Sequence, residues 1–161
     1  MSVHLETAPL RPGEMLDRFT AGRSETGAIV SFTGLMRAEH GAADTLYLDA
    51  YPGFTEAEIA RTEAEAQARF ALQDSLIVHR HGAIAPGEPI VFVATAAAHR
   101  RAAFEAADHL MDYLKSRAPF WKRSSGPAGA SWIEPTAQDL DDAARWDVVP
   151  WDVAPAAEDA G

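Results

Sequence analysis

AHRRAAFEAADHLMDYLKSRAPFWKR, residues Ala98 to Arg123, is the stretch from which the architecture can be read. Ala103, Phe104, Ala107, Leu110, Met111 and Leu114 recur at the 3.6-residue period and predict one apolar face on a helix from about Arg100 to Arg117. Ala118 precedes Pro119, and the residue before a proline is pushed away from helical backbone, so the helix ends there. From Pro119 to Arg123 the chain is expected to run extended. The window carries six basic and three acidic residues, a net of +3 in a chain of net charge −10. It also holds both lysines of the chain, Lys115 and Lys122, against twelve arginines elsewhere and within it. A chain that otherwise takes its positive charge as guanidinium keeps two amines here. An amine is compact and can lose its proton.

Working outward, Leu76 to His81 (LIVHRH) and Ile90 to Ala96 (IVFVATA) read as strands, and the turn Ala85-Pro86-Gly87-Glu88 predicts that they pair as an antiparallel hairpin. Leu46 to Tyr51 alternates in polarity as a half-buried strand does. Pro52-Gly53 then turns the chain, and Thr55 with Glu58 has the capping-box spacing that opens a helix to about Leu72. Gly27 to Thr33 reads as a buried strand, and Gly34 to Thr45 as a mobile loop carrying Arg37. A short first helix is expected over Pro12 to Thr20. Downstream come a turn from Ser124 to Ala130, a short strand from Ser131 to Glu134 and a last helix from Asp139 to Trp146. This order predicts a single α+β domain over residues 1–146, with two main helices packed on a largely antiparallel sheet. Residues 147–161 read as an acidic, Pro-rich, disordered tail.

The 161 residues are enough for one substantial core, and 47% hydrophobic with 24% charged residues is ordinary for a globular domain. No apolar run approaches the ~20 residues of a membrane span, and the first residues lack a signal-peptide core. A cytoplasmic location with no membrane association is expected. The chain has no cysteine, which excludes disulfides, thiolate metal sites and a cysteine nucleophile. Any sulfur chemistry would need a partner to bring the sulfur. Glu134 to Gly161 holds eight acidic residues and one arginine, so most of the negative charge sits there. Nucleic acid is not an expected partner, because tracking phosphates takes a basic stripe longer than one window.

Several residues are candidates for chemistry. Lys115 follows Met111 by one turn and is close in helical angle to the apolar stripe, so its amine is expected to be partly desolvated and aimed into a pocket. Lys122 follows Trp121 on an extended segment and should point the opposite way from it, into a cleft. His99 and Arg100 stand where a strand gives way to a helix N-terminus, a place that favours an anion. Arg101 is assigned to Glu105, one turn on. Arg37 suits a ligand-gripping loop position, and the residues alone fit a solvated loop arginine equally well. His79 and His81 share a strand face, but no third ligand is in view and no metal is expected.

Five segments taken together carry a resemblance: SFTGLMR (Ser31 to Arg37), YPGFTE (Tyr51 to Glu56), HRHGAIAPGE (His79 to Glu88), AHRRAAF (Ala98 to Phe104) and MDYLKSRAPFWKR (Met111 to Arg123). They resemble, in the same order, the large catalytic subunit of molybdopterin synthase. The resemblance implies an α/β hammerhead-like fold with a small C-terminal hairpin. It implies a sulfurtransferase of molybdenum-cofactor biosynthesis that converts cyclic pyranopterin monophosphate (precursor Z) to molybdopterin by installing a dithiolene, with no cofactor. The sulfur would come from the C-terminal Gly-Gly thiocarboxylate of a small ubiquitin-like subunit. Two large subunits would form a homodimer within a heterotetramer. Lys115 and Lys122 match the catalytic pair, and Leu35, Met36, Arg37, His99, Arg100, Arg123 and Ser124 match substrate-binding positions. Two other classes fit the residues alone. A lysine-dependent transferase acting on another anion would turn over without a protein partner. A non-catalytic adaptor would dock a ubiquitin-like protein even with both lysines replaced.

Overall fold

The computed structural model describes residues 2–37, 45–51, 53–126 and 129–147. Two four-stranded sheets organise them, built from eight strands and four helices in a mixed order.

The first sheet has the order β1-β4-β6-β2, from β1 (Ser2–Glu6), β2 (Ala28–Leu35), β4 (Asp74–Arg80) and β6 (Pro89–Ala97). β6 lies inside the sheet, and Val91 to Ala97 is buried throughout, as a strand covered on both faces must be. Successive side chains point to opposite faces. Ile77, Val91 and Val93 pack against Ile59 and Ala66 of α2 (Phe54–Arg69) and Leu110 and Leu114 of α3 (Arg100–Ser116). Val78, Phe92, Ala94 and Ala96 meet Leu10 and Phe19, so α1 (Pro12–Thr20) covers the other face. The antiparallel β4–β6 hairpin and the long α3 match the expectation from sequence. No helix among the described residues is long and apolar enough to cross a membrane.

The second sheet was not foreseen as separate. β3 (Thr45–Ala50) pairs with β5 (Gly82–Ile84) on one side and β7 (Phe120–Gly126) on the other, and β7 pairs with β8 (Gly129–Ile133). Its small core is Leu46, Leu48 and Ile84 with Met36 and Ile90. The expected turn from Ser124 onward is therefore pushed later: β7 runs on to Gly126 before β8 returns. The mixed α+β class and the C-terminal hairpin hold.

Other local expectations are corrected. β1 pairs in parallel with β4, and no turn signal brackets so short an edge strand. β2 continues to Leu35, two residues past the predicted end. The rest of that predicted loop, residues 38–44, lies outside the described residues. Thr55 does not cap α2. Gly53 takes that place at φ 78°, a backbone that favours glycine. Thr55 is buried instead, accepting from Tyr51 N at 2.9 Å and donating to Pro119 O at 3.1 Å. It thereby ties the start of α2 to the bend after α3. Gly27 is needed where β2 meets the end of β6, because a Cβ there would lie 2.1 Å from Ala98 O. The last helix, α4 (Ala137–Ala144), starts earlier than predicted, with Thr136 as its N-cap. Asp147, assigned to the tail, is held by Arg117 at 2.7 Å. The remainder of the expected tail, residues 148–161, lies outside the described residues.

Candidate active site

Between the two sheets and the C-terminal turn of α3 lies a cavity of about 450 Å³. Five parts of the chain bring polar groups to it. The end of β2 and the residues after it supply Leu35, Met36 and Arg37, β4 supplies His79, α3 supplies Lys115, β7 supplies Lys122, and the start of α4 with the residues before it supplies Glu134, Thr136 and Asp139. Leu46, Leu48, Ile90 and Val91 make its apolar lining, with Met111 and Leu114 from α3. Both lysines of the chain therefore face one cavity, as their scarcity suggested.

Each position follows from local structure. Met36 is stapled to the β5–β6 turn, since its N donates to Glu88 O at 2.8 Å and its carbonyl accepts from Gly87 N at 2.7 Å. Glu88 is itself held by Arg80 at 2.9 Å and by Ala85 N at 2.8 Å. That turn thus anchors the residue immediately before Arg37. Lys122 sits opposite Leu48 in the β3–β7 register, and paired residues in an antiparallel ladder share a face. Its amine therefore enters on the side of buried Leu48. Arg123, one residue on, faces the other way and lies 5.0 Å from the Tyr47 ring. It does not line the cavity. Ser124 lies in register with Leu46.

The two lysines differ from expectation in which one is desolvated. Lys115 stands at the rim with its side chain 60% exposed, beside Asp139 of α4 at 3.7 Å. The reason is geometric: α3 turns its buried stripe at Leu114, and the next residue leaves it. Lys122, half-buried, is the more desolvated amine. Burial holds its pKa below the usual lysine value, the nearby charge of Lys115 lowers it further, and Asp139 partly opposes this. Trp121, one residue earlier on the strand, lies on the opposite face from Lys122, but the residue is 53% exposed.

His99 and Arg100 are not brought to this cavity. They stand exposed at the opposite end of α3 from Lys115. Arg101 pairs with Glu105 at 3.4 Å, as assigned.

His79 was read only as half of a metal pair, yet it lines the cavity beside Lys122. Its Nδ1 meets Arg80 O at 2.9 Å and its ring stacks on Phe120 at 4.1 Å. A carbonyl partner makes Nδ1 the donor, which leaves Nε2 as the lone-pair nitrogen. Burial pushes its pKa down to about 4. The unfolded chain takes up a proton below pH 6.5 that the folded chain refuses. Stability should therefore be fully present above 6.5 and fall as the pH drops toward 4, by at most about 3 kcal/mol. Denaturant melts of His79→Phe at pH 7 and 4.5 should show a shallower pH dependence than wild type.

A family model described as MoaE protein matches residues 5–117. A protein named molybdopterin synthase catalytic subunit from Caulobacter vibrioides is 65% identical over 147 residues, covering 91% of this chain and 98% of its own. One of the same name from Mesorhizobium japonicum is 56% identical over 130 residues, covering 79% and 81%. Among solved structures, the molybdopterin biosynthesis MoaE protein from Burkholderia ambifaria MC40-6 is similar with a TM-score of 0.78 and 36% identity, covering 92% of this chain and 99% of that one.

Proposed function

The chain belongs to the MoaE family, and from that premise we propose how its cavity does the work of a molybdopterin synthase catalytic subunit. The protein is a sulfurtransferase of molybdenum-cofactor biosynthesis that adds sulfur to precursor Z. The observation that carries the residue assignment is the meeting of the chain's two lysines in one cavity, one exposed at the rim and one half-buried.

Lys115 and Lys122 are the catalytic amines. A thiocarboxylate and a cyclic phosphate are both anions, and Lys115 with Arg37 offers them two cations in a partly apolar setting. Lys122, whose burial disfavours its charged form, is the amine able to give up its proton and serve as base or nucleophile. Leu35 and Met36 form the apolar wall beside Arg37. The sulfur donor is a small ubiquitin-like carrier ending in Gly-Gly thiocarboxylate, since this chain has no cysteine to hold sulfur itself. Its relatives' name, one subunit of a synthase, supports such a partner. Each carrier gives one sulfur to a carbon of the pterin side chain, where the new C–S bond replaces a C–O bond whose oxygen leaves as water or stays with the phosphate. The carrier's acyl–sulfur bond breaks and the acyl carbon ends as carboxylate, with oxygen from water. The same reading keeps the cytoplasmic location.

His99 and Arg100 enter through symmetry. α3 is continuous from Arg100 to Ser116, so Arg100 and Lys115 are separated by about 22 Å of backbone at 1.5 Å per residue. If both serve one small substrate, two chains must supply them. A two-fold dimer places His99 and Arg100 of one copy beside the Lys115 and Lys122 of the other. This is the homodimer at the centre of the heterotetramer.

The deciding experiment is incubation with precursor Z and a thiocarboxylated small subunit, followed by detection of dithiolene. Product that requires both components supports the reading. Binding of the carrier with no product identifies an adaptor, and turnover of another anion without a carrier identifies a different transferase.

A further inference from the structure

We propose that Asp139, on the first turn of α4, is a positioning residue for sulfur transfer whose carboxylate holds the Lys115 ammonium over the cavity. This deepens the catalytic reading of the two lysines and rests on it.

The carboxylate is itself fixed. Thr136 donates to Asp139 Oδ2 from its N at 2.9 Å and from its Oγ1 at 2.7 Å, while Asp139 N donates back to Thr136 Oγ1 at 3.2 Å. One oxygen is thus spent on the helix cap, and the other, Oδ1, stands 3.7 Å from Lys115 Nζ. The helix that carries it cannot easily drift. Arg145 bridges to Asp108 at 2.8 Å and Asp112 at 2.6 Å, and Trp146 Nε1 donates to Asp112 at 2.6 Å. These clamps bind α4 to α3, the helix that carries Lys115.

A rim lysine left to solvent samples many rotamers, and ordering it costs entropy at each turnover. A carboxylate at a fixed place reduces that cost and retains the ammonium where anions enter. The charged and titratable groups facing this point are Arg37, His79, Lys122 and Glu134. The Thr136 hydrogen bonds, followed by the charges of Lys115 and Lys122, hold the Asp139 carboxyl below its ordinary range, so it is ionised at neutral pH. The two amines are thereby given different tasks: Lys115 stays an ammonium that holds anions, and Lys122 is the proton-exchanging amine.

The scarcity of lysine makes this directly readable. With [13Cε]-lysine labelling, the chain shows two lysine signals whose relaxation reports how ordered each side chain is, in the free protein and without any substrate. In Asp139→Asn the order parameter of the Lys115 signal should fall, and kcat for sulfur transfer should drop about three- to tenfold with little change in KM for the carrier. Asp139→Glu returns a carboxylate with altered cap geometry and should restore the Lys115 order. If Asn and Glu behave alike, the residue acts only as a helix cap and the proposal falls. It falls equally if Asp139→Asn leaves the Lys115 order parameter and kcat at wild-type values. Asp142→Asn, on the same helix and bonded to Gln138 at 2.8 Å, should change neither readout, and a change there would overturn the proposal. Should wild type form no dithiolene while the Lys115 order still responds to Asp139→Asn, the electrostatic tether stands, and the sulfur-transfer reading fails together with its catalytic role.

Discussion

Lys122→Ala is expected to lower the single-turnover rate of sulfur transfer by about 10²- to 10⁴-fold, the range lost when a positioned acid–base group is removed. Carrier binding should be nearly unchanged, because the half-buried amine acts on the reaction and not on docking. The fold should tolerate the change. Burial disfavours the charged amine, so the apolar replacement Lys122→Met should keep or raise the melting temperature. Lys115→Ala should also lose orders of magnitude, and it has a second signature. The Lys115 charge helps hold the Lys122 pKa down. Without it, the limb of the pH–rate profile that reports Lys122 deprotonation should move to higher pH. Lys115→Arg keeps that charge and should leave the limb in place, yet its rate should stay low, since a planar, bulkier guanidinium does not hold anions as a compact ammonium at that place does. Near-normal single-turnover rates in Lys122→Ala would remove the amines from the mechanism.

A mixed dimer of Arg100→Ala and Lys115→Ala chains should regain up to about half of wild-type activity, although each variant alone is nearly dead. The arithmetic follows from two-fold symmetry. One of the two composite sites takes both substitutions, and the other takes neither. The prediction comes from helix geometry, since Arg100 and Lys115 stand at opposite ends of α3, and only Lys115 faces the cavity. Co-expression with two affinity tags isolates the heterodimer for assay. If confirmed heterodimers recover nothing, each site is built within one chain and Arg100 has no part in it.

Some of this molecule could be read without any structure, and the dividing line has a physical cause. The periodicity of Ala103 to Leu114 determined α3, because an amphipathic helix must repeat its apolar residues every 3.6 positions wherever it lies. Pro119 determined its end, and the Ala85 to Glu88 turn determined the β4–β6 pairing. Two lysines against twelve arginines pointed to the pair of amines that line the cavity. These are local or compositional facts, present in the chain before it folds. What covers a residue is not local. Leu46 to Tyr51 alternates equally well for either sheet, and only packing joined β3 to β5 and β7. Thr55 had the spacing of a cap and became a buried tie to Pro119, because a segment sixty-four residues away offered its carbonyl. The apolar stripe of α3 reaches Leu114, yet whether Lys115 or Lys122 loses its water depends on which wall closes over each. The ladder with β3 half-buries Lys122 beside Leu48, while α3 leaves Lys115 at the rim, where α4 sets Asp139 next to it. The sequence alone singled out the two amines that line one cavity. Only the tertiary structure decided which of them is desolvated, since desolvation is a property of neighbours that the chain brings from far along its length.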